Sequence, residues 1–363
     1  MAEPLLLDSM ELLAYDARKH GREPLYDAKD VSAAMALWEG IEYHKPMELV
    51  GGITLEFFDA GHILGSAMAR FERGGTHVVF TGDLGGGNSP LLPPTDDIPG
   101  TQYLVMESVY GDRVRANSTA ALHRDQLENV IEDTVARGGT LLIPAFSTER
   151  TQDLLFEIRT LMIEKRVPSI PVFIDSPLAE KMTKAFMQYP KYFSEDIQKR
   201  IEGGENIFSF PELRLVEGME ESRKIHGIPG SKIIIAGSGM SNGGRVHEHQ
   251  KYVLPDAKST LLIVGYQAAG SLGRRLAEGE HNVRINSEQI KVACKVEAIY
   301  GYSAHMDGEQ LLEFANKTAK SLKEVFVVMG EPSSAGFLVQ RIRDYLGIKA
   351  IAPDAGDKAQ IDF

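Results

Sequence analysis

The chain has one cysteine, Cys294, among 363 residues. No internal disulfide can form, and a reducing, cytoplasmic setting is expected. Long apolar runs are also missing. None approaches the ~20 residues of a membrane span, so no membrane association is expected. The short leucine run in Met1–Leu7 is soon followed by acidic residues and does not read as a secretory signal. Positive charge is scarce as well. There are 39 Lys and Arg against 51 Asp and Glu, a formal charge of −12. That excludes a wide basic face for nonspecific nucleic-acid binding. A local basic groove, or an acidic cluster offset by cations, stays open. Internal repeats and low-complexity segments are absent.

What is present alternates. β-branched runs occur at Ile53–Phe58, His77–Thr81, Tyr103–Met106, Thr140–Pro144, Ile170–Ile174, Lys232–Ala236, Thr260–Val264 and Val325–Val328. Helical patterns occur at Thr119–Arg137, Arg150–Glu164, Leu178–Tyr189, Glu309–Thr318 and Gly336–Leu346. The alternation predicts layered α/β architecture. The middle of the chain reads as a Rossmann-like domain.

Several strand ends carry groups with chemistry. "FFDAGHILGSAM" places His62 in a glycine-flanked loop, where it could approach a metal; a packing role is the alternative. "HVVFTGDLGGG" delivers Asp83 to a glycine-rich turn, as a metal carboxylate or as an Asx turn. "VMESVYGDR" ends a strand at Glu107. "AIYGYSAHMDGEQLLEF" offers His305 as a ligand, with Asp307 better suited to cap the helix that follows. Borderline and hard divalent metals accept such a nitrogen and oxygen set. These residues are expected to converge at one edge of a sheet.

A second class of signal is glycine-rich. In "AGSGMSNGGRVHEHQ", Ser238, Gly239, Met240, Gly243, Gly244 and Arg245 precede a helical pattern, where backbone N–H groups could cradle phosphate. In "VGYQAAGSLGRRLAEG", Ser271, Arg274 and Arg275 offer a similar oxyanion site or a solvated helix start. His247 and His249 form the one His-x-His in the chain. Positions i and i+2 of a helix do not share a face, so both are expected at the surface.

Taken in order, "DAGHILGSA", "FTGDLG", "MESVYGDR", "IPAFSTERTQDLL", "SGMSNGGR", "GYQAAGSLGRRL" and "GYSAHMD" resemble the β-CASP branch of the metallo-β-lactamase-fold nucleases. That branch includes the mRNA 3′-end cleavage endonuclease and ribonuclease J. The resemblance covers nearly the whole chain. It implies an N-terminally incomplete αββα sandwich formed by residues 1–115 and 291–363, with a β-CASP domain inserted at 116–290. It implies a zinc-dependent RNA-processing hydrolase with two zinc ions. His62, Asp83 and His305 would be metal ligands, and Glu107, Asp83 and His305 would serve catalysis. Ser238–Arg245 and Gly270–Arg275 would face single-stranded RNA, and a homodimer stays open.

The departures are specific. The family's His-x-His-x-Asp-His is absent, and Met329 stands in "VVMGEP" where relatives carry histidine before Gly-Glu. Ile285-Asn286-Ser287 lacks a further family histidine, and nearby His281 is not its equivalent. The resemblance therefore implies an incomplete metal site and an isolated chain with little activity. A non-catalytic RNA- or protein-binding relative, or a hydrolase acting on DNA, are the competing expectations.

Overall fold

A computed structural model describes residues 1–115 and 119–363. The chain is mixed α/β, with two compact units. The domain boundary expected at Ala116 lies outside the described residues.

One unit comprises Ile41–Ala120, Tyr192–Gln198 and Gly301–Phe363. Its seven-stranded sheet runs in the order Met47–Leu49, Ile53–Asp59, Ala67–Arg73, Thr76–Phe80, Tyr103–Glu107, Glu324–Val328 and Lys349–Ile351. The first four strands pair antiparallel and the last four parallel. The register follows the two-residue period of a strand. Leu104 faces Val325 and Met106 faces Val327 across one pair, and all four side chains are buried. They pack with Leu311 and Phe314 of helix Gly308–Lys317 and with Leu338 of helix Pro332–Arg341. Burial of such apolar side chains contributes roughly 1.5–3 kcal/mol each. This layer fixes the strand ends from which the site is built. The opposite face carries Val78, Tyr103 and Phe326, packed with Ile361 and Phe363 of the C-terminal segment. Phe80, in the same alternation, stays 46% exposed.

The other unit comprises Met1–Gly40, Ala121–Lys191 and Lys199–Tyr300. Its six strands order as Lys295–Ile299, Thr260–Val264, Thr140–Pro144, Lys232–Ala236, Val172–Asp175 and Leu213–Leu215, all parallel. Apart from half-buried Thr140, the central strands are buried along their length, as strands covered on both faces in a parallel sheet are. These units divide the chain differently from the limits 1–115, 116–290 and 291–363. Met1–Gly40 and the strand Lys295–Ile299 both group with the parallel sheet. Met1–Gly40 holds helices Ala2–Lys19 and Ala28–Ala36, which the strand-and-helix reading of the sequence missed. Their stripes are weak because only Ala17 and Val31 are fully buried. Among the described residues, no helix is long and apolar enough to cross a membrane.

Candidate metal centre

Three loops of the seven-stranded unit are stapled together. The loop after Thr76–Phe80 carries Asp83 and lies centrally. The Gly85 N–H donates to the Ala60 carbonyl at 2.8 Å, which ties it to the His62 loop. On its other side the Met306 N–H donates to the Leu84 carbonyl at 2.9 Å, and the Gly86 N–H to the Ala304 carbonyl at 2.6 Å. Gly85 and His305 thus form an isolated antiparallel bridge. Glycine is required at this crossing. A Cβ on Gly85 would lie 1.9 Å from the Gly61 carbonyl oxygen, and Gly61 itself has a φ of +60°. Thr95 fastens the crossing by donating to the Ala60 and Gly85 carbonyls, both at 2.8 Å.

Sequence reasoning placed His305 at the end of a strand of this layer. The preceding strand instead joins the parallel sheet, and a turn at Tyr300–Tyr302 intervenes. The bridge to Gly85 positions His305, with help from the helix behind it. Asp307 caps that helix as expected, accepting from the Glu309 and Gln310 N–H groups at 3.0 Å each. Gln310 answers by accepting from the Asp307 N–H and donating to the Gly86 carbonyl. Arg115 adds a guanidinium that donates to the Ser303 and His305 carbonyls.

The result is one cluster. His62, Asp83 and His305 each offer a ligand atom, all within 4.8 Å of one another. His62 Nε2 lies 3.7 Å from Asp83 Oδ2, and the two imidazole centroids are 4.5 Å apart. Asp83 is the most open, at 38% side-chain exposure against 13% for His62 and 17% for His305. Glu107 stands behind, fully buried. Its oxygens lie 3.0 and 3.1 Å from His305 Nδ1, and it accepts from the Leu84 N–H at 2.6 Å. An ionised carboxylate there takes the Nδ1–H and leaves Nε2 as the ligand nitrogen. Glu107 therefore orients His305 rather than reaching into the site. The donors fit one zinc ion. Two imidazoles and a carboxylate are ligands zinc accepts, and three protein ligands leave the fourth position for a reactant. Among the described residues no second such group accompanies them.

Beside this cluster, Asp59 is a half-buried carboxyl. Burial pushes its pKa up to about 6, against the Gly61 N–H that favours its charge, with neighbouring Asp96 raising it and His44 lowering it.

The glycine-rich loops belong to the parallel unit. Ser238, Gly239, Gly243, Gly244 and Arg245 line a cavity of about 490 Å³. It opens at the carboxyl ends of Thr140–Pro144, Val172–Asp175 and Lys232–Ala236, where open parallel sheets take ligands. Met240, Ser271, Arg274 and Arg275 are not among its lining residues. The Arg245 guanidinium turns inward instead of facing an incoming anion. It pairs with Asp175 and donates to the Val216 and Glu217 carbonyls. Arg274 pairs with Glu278 at 2.5 Å and Arg275 with Glu280 at 3.2 Å. Ser271 caps the short helix Leu272–Ala277.

The expectation of surface histidines at His247 and His249 is corrected. His249 is fully buried, with Nε2 2.6 Å from Asp175 Oδ2 and Nδ1 2.9 Å from His226 Nε2. His247 is half-buried, its Nε2 2.8 Å from the Ser241 carbonyl. Sequence reasoning missed this Asp175–His249–His226 network. One signal was available: Arg245 and His249 are four apart on helix Arg245–Val253 and so share a face. Asp175 is wholly buried. Burial pushes its carboxyl up, but bonds from His249, Ser222 and Arg245 outweigh this and hold it below the ordinary value.

Loops of one α/β unit gather two imidazoles and a carboxylate in a group that could hold a metal ion, with a buried carboxylate orienting one imidazole. Comparison narrows the class. Residues 151–276 match the Beta-Casp domain, and residues 289–353 match the Zn-dependent metallo-hydrolase RNA specificity domain. A ribonuclease of Thermus thermophilus is 34% identical over 305 residues, covering 84% of this chain and 70% of that protein. The transcription termination factor FttA of Methanosarcina mazei is 31% identical across 96% of this chain, which spans 57% of the factor. An RNase J-like protein of Methanocaldococcus jannaschii is 31% identical, with 91% and 76% covered. The chain belongs to the β-CASP family of metallo-β-lactamase-fold nucleases.

Proposed function

We propose that this chain serves zinc-dependent hydrolysis of phosphodiester bonds in single-stranded RNA, in the cytoplasm. The observation that carries the reading is the His62–Asp83–His305 cluster with Glu107 behind His305. Zinc held there would lower the pKa of a bound water and offset charge on a phosphate oxygen. His62 and His305 supply neutral nitrogens, and Asp83 supplies the charge that retains the cation. Glu107 keeps the proton of His305 on Nδ1. In the parallel unit, the glycine-rich turn 238–244 that lines the cavity would receive an RNA phosphate, although the Ser238, Ser241, Asn242, Val246 and His247 N–H groups already donate within the protein. Arg245 acts there by bracing the loop onto Asp175, and the 271–275 turn supplies further contacts.

Three ligands hold one ion, whereas two ions imply a fuller set, so the chain alone should cut close to background. A second reading is an RNA- or protein-binding relative that does not cut. Exposed Met329 supports it. The test incubates the zinc-loaded chain with labelled single-stranded RNA and with DNA of the same sequence. The expected result is preferential retention of RNA and slow cleavage that His305→Ala removes. Retention with no cleavage favours the second reading. A chain that ignores RNA, or cuts DNA in preference, contradicts the proposal.

A further inference from the structure

The turn that follows strand Tyr103–Glu107 carries an arginine, Arg113, that the metal cluster leaves unused. The backbone of Arg113 is fixed at both ends of its residue. Its N–H donates to the Tyr110 carbonyl at 3.0 Å, and its carbonyl accepts from the Gly308 N–H at 2.8 Å. Gly111, two residues before, sits so close to Ser334 that a Cβ would lie 2.7 Å from its carbonyl oxygen. The side chain leaves this rigid turn over Tyr110, its guanidinium carbon 5.4 Å from the ring centroid. Tyr110 in turn meets His305 at right angles, 6.1 Å between centroids and 85° between planes. Arg113 is thereby held one aromatic ring away from a ligand of the cluster.

Its charge is only loosely matched. Among the described residues its ion-pair neighbour is Asp112, with Nε 3.9 Å from Oδ1, beyond hydrogen-bond reach, and both side chains are more than a third exposed. Three other arginines of this unit are engaged. Arg70 is paired with Glu56, Arg341 with Glu309 at 2.8 Å, and Arg115 donates to the carbonyls of Ser303 and His305. Arg113 therefore keeps donors in a planar fork that fits two oxygens of a phosphate. The ring beneath it limits the orientations it must lose on binding, which lowers the entropic cost of the contact.

We propose that Arg113 is a substrate-binding residue of this site, taking a backbone phosphate of single-stranded RNA beside the one at the His62–Asp83–His305 cluster. The inference rests on the RNA reading above. A solvated arginine with no ligand would make no contribution to the salt dependence of binding, so salt dependence is the measurement that separates the two. The zinc-loaded full chain is titrated with a fluorescent single-stranded oligoribonucleotide across a potassium chloride series. Arg113→Ala should weaken binding roughly tenfold at low salt and reduce the slope of log K against log salt by about 0.7, one phosphate on a single strand. Arg73→Ala, an exposed arginine at the end of strand Ala67–Arg73, should leave both unchanged. Arg113→Gln keeps a planar polar head without the charge and should show the same loss of slope, which covers the case in which the alanine variant unfolds. If the parent binds RNA and both variants keep its slope, the Arg113 assignment is wrong while the RNA reading stands. If the parent itself does not bind RNA, both fall together.

Discussion

Replacing Glu107 with glutamine should cost the metal site most of its affinity without removing a ligand. Glu107 is fully buried and accepts from the Leu84 N–H at 2.6 Å, the Val109 N–H at 3.3 Å and His305 Nδ1 at 3.0 Å. A glutamine has one acceptor oxygen. The shortest bond, from Leu84, claims it, and the amide NH2 is then presented to His305. Nδ1 must become an acceptor, so the imidazole proton moves to Nε2, the nitrogen needed for the metal. Loss of an orienting partner of this kind typically weakens metal binding 10–100-fold, or about 1.4–2.8 kcal/mol. The assay is a zinc competition titration against a chelating dye, with thermal melts to confirm that the variant folds. Glu107→Gln protein that melts normally and holds zinc as tightly as the parent would refute the orienting role.

Other consequences follow from buried charge. The Asp59 carboxyl keeps its proton up to about pH 6 when folded, whereas an unfolded chain releases it near 3.8. The folded state binds the extra proton, so its stability falls as pH rises between those values and stays lower above them. The shift of about 2 units sets the loss at no more than about 3 kcal/mol. Asp59→Asn keeps an acceptor for the Gly61 N–H, so urea melts should show it more stable than the parent at pH 7 and no different near pH 3. Asp175→Ala leaves Arg245, His249 and Ser222 without their shared acceptor, and breaking a buried pair costs about 3–5 kcal/mol. Hydrogen exchange should show the loss in the parallel sheet, with the seven-stranded unit unchanged. Gly85→Ala puts a methyl against the Gly61 carbonyl; it should separate the His62 and Asp83 loops and lower zinc affinity at least tenfold, measured by the same titration.

Strand ends were legible because both signals are local. A short β-branched or apolar run that gives way to a polar group near glycine marks where a strand stops: Asp83 follows Thr76–Phe80 by three residues, and Glu107 is the last residue of Tyr103–Glu107. Their convergence with His62 was also foreseen, since loops at one sheet edge gather sites. The delivery of His305 was not. Its preceding strand looks like any buried strand, and nothing in Lys295–Ile299 says which of two sheets it joins. The Asp175–His249 bond was hidden for a related reason. It links positions 74 residues apart, and the i and i+2 rule that sent His249 to the surface separates it from His247 only. The first two helices escaped because they bury so little that no apolar stripe survives. Arg245 was legible as a helix start but not in its direction, which depends on Asp175 from a strand far earlier in the chain.

The central claim is that His62, Asp83 and His305 together hold a catalytic cation. The most direct test is zinc content by mass spectrometry after dialysis, for the parent and for His62→Ala, Asp83→Ala and His305→Ala. The parent should hold one zinc per chain, weakly, and none of the three variants should hold any, each of them still folding by circular dichroism. A parent that binds no zinc, or a variant that keeps it at the parent's stoichiometry, would contradict the account.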